Sequence, residues 1–182
     1  LLDVLDERRV FDPARLFVTG HSNGAGMSFR VAAEIPDRFL AVAPVAGMLA
    51  IPHPRPKHSL PTLYIVGTSD PLVPLQGGSV KSPWGKLQKT PVAEDLARWA
   101  GANGCNELPE TIADDGRVRR VRYRAATEGS LVEAVYIKGH GHSWPGQRVQ
   151  PFLQRWLGPS TSGFDATEQI WKFFSRIAPR PS

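Results

Sequence analysis

Cys105 is the single cysteine in 182 residues, so no internal disulfide is available and cysteine usage does not report the compartment. Without a reactive partner set around it in sequence, Cys105 reads as buried and inert. Long hydrophobic runs are also missing. None approaches the roughly 20 residues of a spanning helix, and no membrane partner is expected. His53 and His58 lack metal-ligand companions and read as surface residues. The first nine residues, Leu-Leu-Asp-Val-Leu-Asp-Glu-Arg-Arg, are not a signal peptide, and there is no initiator Met. They look like the end of an amphipathic helix, and the expectation is that the natural start lies upstream.

Acid is scarcer than base, with 17 Asp and Glu against 22 Lys and Arg, giving a formal charge of +5. The densest basic run is Arg117, Arg119, Arg120, Arg122 and Arg124, interleaved with Val118, Val121 and Tyr123. It carries no nucleic-acid motif, and it reads as the solvated face of a strand rather than a polyanion patch. No nucleic-acid partner is expected. What remains is ordinary for a globular protein: 41% hydrophobic and 21% charged residues, in a length that suits a single domain over 1–182 with a real core.

One stretch organises the rest. Leu16-Phe17-Val18-Thr19 enters Gly20-His21-Ser22-Asn23-Gly24, and a helix-competent run leaves it. Strand, sharp turn and helix are the context of a G-x-S-x-G nucleophile elbow, in which strain holds a serine hydroxyl open to substrate. Average Gly and Ser usage would supply this pentapeptide by chance about 0.06 times in such a chain. The motif and its flanks together therefore favour a nucleophile over an ordinary serine.

The pattern then predicts a helix over 25–35 closed by Pro36, a doubly buried strand over 39–46, and a Pro-rich linker over 51–61. A strand over 62–66 follows, then a helix over 91–102 with Thr90 as N-cap and Pro91 in the first position. Strands over 118–123 and 131–137 come next, and a long polar connection leads to a last helix capped by Asp165 with Glu168 as its partner. Strands alternate with helices, and each strand delivers a special residue at its C-terminal end, as in open parallel α/β sheets.

A serine hydroxyl needs a base, and the base needs an orienting acid. Ser22, Asp70 and His142 each follow a predicted strand, in the chain order Ser, acid, His of the α/β-hydrolases. Asp95, Asp114 and Asp115 are rivals of Asp70, but only Asp70 directly follows a buried strand. His140 and His142 are not separated by spacing.

Four segments carry a family resemblance. They are Gly20-His21-Ser22-Asn23-Gly24, Ala43-Pro44-Val45-Ala46-Gly47, Gly67-Thr68-Ser69-Asp70-Pro71-Leu72-Val73-Pro74, and the run Gly139-His140-Gly141-His142-Ser143-Trp144-Pro145-Gly146. Together with Asn103-Gly104-Cys105 and the Asp165 to Phe174 ending, the chain resembles the polyhydroxybutyrate depolymerase-like and feruloyl esterase-like α/β-hydrolases. The resemblance implies a mostly parallel sheet flanked by helices, incomplete at its N-terminal side. It implies His142 as the base, with His140 only lining the site.

It further implies a serine carboxylester hydrolase that uses no cofactor and no metal. The implied substrate is a small-molecule or polymeric ester of polyhydroxyalkanoate, feruloyl or acetyl type. The backbone N–H of Asn23 would be one oxyanion donor, and the other would lie in sequence before Leu1. Trp144, Trp84 and His21 are the candidate substrate contacts, against a plain core role for the tryptophans. Export, to a secreted or periplasmic location, is the implied compartment. Relatives often pair the cysteine of the Asn-Gly-Cys segment with a second one, and none stands here, so Cys105 is expected to be free.

Overall fold

A computed structural model describes residues 2–82, 85–126 and 131–179. Helix α1 (Leu2–Glu7) leads to β1 (Phe17–His21), α2 (Asn23–Glu34), β2 (Ala41–Val45) and β3 (Thr62–Gly67). A hairpin of β4 (Gly78–Ser82) and β5 (Gly85–Lys89) precedes α3 (Val92–Ala102). Strands β6 (Cys105–Asp114), β7 (Val118–Ala125) and β8 (Val132–Ile137) follow, then α4 (Pro151–Leu157) and α5 (Ala166–Phe174).

Six strands form one sheet in the order β1-β2-β3-β8-β7-β6, parallel from β1 through β8 and antiparallel through β7 and β6. Parallel pairing requires crossover connections, and a parallel sheet needs both faces covered. The alternation along β3 shows how this is met. Tyr64 and Val66 face a cluster with Phe29 of α2 and Leu96 and Trp99 of α3. Leu63 and Ile65 face the other way, against Ile170, Phe173 and Phe174 of α5. The outcome is three layers with the C-terminal ends of β1, β3 and β8 on one rim, where their loops carry Ser22, Asp70 and His142.

Several local expectations change. The helix after the elbow starts at Asn23, two residues before the predicted start, because Ser22 itself is its N-cap. Thr90 is not the cap of α3. Pro91 is, and the Thr90 hydroxyl instead donates to Asp95 Oδ1 at 2.8 Å. Gly101 lies inside α3, and Asn103 is its C-cap. Three elements were not predicted. Strand β6 is almost wholly exposed and contains Pro109, so it has neither alternation nor strand composition. The short strands of the β4–β5 hairpin are polar for the most part. Helix α4 buries none of its seven residues, and its apolar Phe152, Leu153, Trp156 and Leu157, at helical spacing, fall within what reads as the polar connection.

The arginine strand is less free than a solvated face suggests. Arg122 pairs with Glu133 and Arg124 with Glu110, both at 2.7 Å, while Arg119 lies over the Tyr136 ring. Arg120 donates to Gln169 on α5. Cys105 is buried and unpaired, and burial pushes its thiol pKa up, which disfavours the thiolate.

Candidate active site

Ser22 occupies the turn between β1 and α2 with φ 56° and ψ −116°. L-residues rarely adopt such a conformation, and the surrounding structure must hold it. Two features do so. The Ser22 N–H donates to the Val45 carbonyl of β2 at 2.9 Å, and the Ser22 carbonyl accepts from Ala25 and Gly26 to start α2. Gly20 is required because a methyl group there would overlap the Gly24 carbonyl and approach Ser28 Oγ to 2.8 Å. The first glycine of the motif thus sets how closely helix meets strand.

The loops after β3 and β8 bring the other two groups to this hydroxyl. Asp70 is buried, at 4% exposure. Its Oδ1 accepts the N–H groups of Leu72 and Val73, both at 2.8 Å, which leaves Oδ2 for the 2.8 Å bond from His142 Nδ1. A carboxylate only accepts, so Nδ1 carries the proton and Nε2 is the free acceptor of the neutral ring. Ser22 Oγ lies 2.7 Å from that Nε2 and donates to it. The three residues proposed from chain order therefore form one continuous Ser–His–Asp chain of hydrogen bonds.

The other candidates fall into different places. Asp95 is buried too, but it sits on α3, where it accepts from Thr90, pairs with Arg98 and caps the Leu49 N–H at 3.3 Å. Asp114 and Asp115 close the exposed β6–β7 turn, accepting from the N–H groups of Gly116, Arg117 and Val118. His140, fully buried, is two residues from His142, and its hydrogen bonds go to Thr161 and Ser143 rather than to Ser22. Its Nδ1 accepts the Thr161 N–H at 3.1 Å, so its Nε2 carries the proton and donates to the Ser143 carbonyl at 3.0 Å. Burial holds its pKa below the ordinary histidine value.

His21, a candidate substrate contact, donates Nε2–H to the backbone carbonyl of His142 at 2.6 Å. Its ring lies 5.0 Å from that of His142, and burial again lowers its pKa. Trp144 meets the His21 ring edge-on at 6.2 Å and donates Nε1–H to Thr167 Oγ1 at 3.0 Å. Neither His21 nor Trp144 is among the described residues of the cavity wall. Trp84 lies outside the described residues.

The cavity beside Ser22 measures about 420 Å³. Ser22, Asn23 and His142 form its reactive end, and Met48, Leu72, Val73, Val80 and Leu87 supply apolar wall. Asn23 opens α2, so its N–H has no intrahelical acceptor and the positive end of the helix dipole is nearby. Sequence reasoning missed the loop after β2 and the β4–β5 hairpin as wall elements. The positive φ of Ala46 (49°) at the head of that loop is invisible in its composition. No cluster of His, Cys, Asp or Glu that could hold a metal is found among the described residues.

No family model matches the chain. Curated relatives do. The chain is 34% identical over 161 residues to a putative esterase, NocK, of Nocardia uniformis subsp. tsuyamanensis, covering 80% of this chain and 47% of that protein. It is 29% identical over 138 residues to feruloyl esterase B of Piromyces equi, covering 72% and 25%. Identity to poly(3-hydroxyalkanoate) depolymerase C of Paucimonas lemoignei is 25% over 173 residues, covering 80% and 39%. The chain thus spans between a quarter and about half of the length of these relatives. In fold it is similar to an acetyl xylan esterase from Aspergillus awamori, with a TM-score of 0.56 at 15% identity, over 96% of this chain and 64% of the other. The sheet order, the elbow and these relatives place the chain in an esterase-like family of α/β-hydrolases.

Proposed function

We propose that this chain carries the nucleophile, base and acid of a serine carboxylester hydrolase. The observation that carries the reading is the unbroken relay from Ser22 Oγ through the His142 ring to Asp70 Oδ2, at 2.7 and 2.8 Å. In the first step His142 Nε2 takes the Ser22 proton while Oγ bonds to the ester carbonyl carbon. Asp70 holds the ring in the correct tautomer and stabilises the imidazolium that forms. The tetrahedral oxyanion is stabilised by the Asn23 N–H and the start of α2. His142 then protonates the leaving alkoxide as the C–O bond breaks, which leaves an acyl group on Ser22. Water, deprotonated by the same Nε2, releases the acid and restores the serine. The relatives named above support esters of the hydroxyalkanoate, feruloyl or acetyl kind, and the mostly apolar cavity suits an acyl group of that size.

A second reading is favoured by one feature. Strand β1, which carries the elbow, is at the edge of the sheet, and beside it runs an open groove lined by Leu16, Phe17, Met27 and Val31. In that reading the chain binds a polyester or polysaccharide along this groove without turning it over. Hydrolysis of 4-nitrophenyl acetate and butyrate separates the two. The esterase reading expects turnover that Ser22→Ala lowers by about 10⁴-fold or more. Undiminished turnover in Ser22→Ala sinks it.

A further inference from the structure

The cavity beside Ser22 holds one charged side chain that the ester chemistry leaves unused. Lys89, half-buried at the end of β5, lines it together with Val80 and Leu87 of the same hairpin. No ion pair neutralises it among the described residues. The two buried carboxylates in this half of the molecule are already engaged. Asp70 bonds to His142 and to two backbone N–H groups, and Asp95 bonds to Arg98, Thr90 and Leu49. The remaining wall is formed by backbone, Ser22, Asn23, His142 and apolar side chains.

The backbone that carries Lys89 is anchored. Lys89 pairs with Gly78 at the root of the hairpin. Gly77, at φ +69°, packs so closely there that a methyl group would come within 2.7 Å of the Lys89 carbonyl oxygen and of Pro91 N. One residue further, Val92 N–H donates to the Leu75 carbonyl at 3.0 Å, tying the hairpin exit to its entry. An ammonium carried on an anchored backbone, beside an apolar surface and without an ion-pair partner among the described residues, is an acceptor for a negative group that arrives with the ligand.

Resting on the ester-hydrolase reading, we propose that Lys89 selects esters whose acid half has an apolar body ending in a carboxylate. The acid half is assigned to this cavity because it stays bonded to Ser22 through both steps, and Asn23 lines the same space. The net charge of +5 helps draw such an anion toward the site.

Three substrates of matched length test this: mono(4-nitrophenyl) adipate, its neutral carboxamide 4-nitrophenyl 5-carbamoylpentanoate, and 4-nitrophenyl hexanoate. The 182-residue chain is expected to show a kcat/KM about 2- to 5-fold higher for the carboxylate than for the carboxamide, the range of a partly exposed ion pair. Lys89→Gln should bring that ratio close to 1, and Lys89→Glu should take it below 1. Equal rates on carboxylate and carboxamide, or a ratio unchanged in Lys89→Gln, overturn the proposal. Failure to hydrolyse all three, the hexanoate included, overturns the ester-hydrolase reading and this proposal with it.

Discussion

His21 Nε2 donates its proton to the backbone carbonyl of His142 at 2.6 Å, so the residue before Ser22 holds the loop that carries His142. The next carbonyl in that loop, of Ser143, is held by His140 Nε2 at 3.0 Å. Two neutral imidazoles thus fix consecutive peptides around His142, and neither ring reaches the serine hydroxyl.

His21 is therefore expected to act on kcat rather than on KM. In His21→Leu the partly buried His142 carbonyl loses its donor, and the loop is free to shift by the ångström that matters for proton transfer. A loss of about 10- to 100-fold in kcat with KM little changed is expected, and His21→Gln, whose amide also donates, should recover part of it. Steady-state kinetics on 4-nitrophenyl butyrate gives the answer. An effect confined to KM would contradict the positioning role.

The acid behaviour of His140 follows from its partners. Its pKa lies below the ordinary value of about 6.5 because burial disfavours the charged ring, and Nδ1 already accepts the Thr161 N–H. The unfolded chain then binds the proton more readily than the folded one. Stability should be at its plateau above pH 6.5 and fall as pH drops through that value, and His21, also shifted down by burial, adds in the same direction. Urea unfolding at pH 7.5 and 5.0 should show this decline, and it should be shallower in His140→Gln. An equal slope in the variant would remove His140 as the cause.

Ser22 sits in a conformation that favours glycine. Ser22→Gly and Ser22→Ala should both be inactive, yet the glycine variant should be the more stable by about 1 kcal/mol, since only it relieves the strain. Thermal melts of the two variants decide this. Equal melting temperatures would mean that the elbow stores no strain at Ser22.

Gly20→Ala makes the opposite prediction. The added methyl overlaps the Gly24 backbone, which cannot move without displacing the start of α2. A loss of about 2–4 kcal/mol is expected, in the range of severe overpacking. Gly24→Ala meets nothing within 4 Å, so it should be much milder. Chemical denaturation of the pair tests the asymmetry within one motif.

Asp70→Asn probes the relay. The carboxamide oxygen can accept either the Leu72 and Val73 N–H groups or His142 Nδ1–H, and in the first case its NH2 faces Nδ1 and favours the wrong tautomer. A fall in kcat of about 10³- to 10⁴-fold with an intact fold is expected. Near wild-type turnover would show that Asp70 does not orient the base.

The sequence by itself determined the local chemistry. G-x-S-x-G after an apolar run and before an alanine-rich one specifies the elbow, because a side chain at Gly20 would leave no room for α2 to start against β1. The unbroken apolar runs of β2 and β3 specify doubly buried parallel strands, and the order Ser22, Asp70, His142 follows from which loops leave those strands. The exposed strand β6 and the mostly polar β4–β5 hairpin left little periodicity to read, and the apolar residues of α4 were hidden in a connection that reads as polar. Only the tertiary structure decided which histidine faces the serine. His140 and His142 differ by two positions on one loop, and their roles separate because Thr161 and Asp70, distant in the chain, each accept or offer a hydrogen bond to a different ring. It likewise tied His21 to the His142 carbonyl and set Lys89 in the cavity wall. Those assignments depend on distances between segments far apart in sequence, which no local pattern encodes.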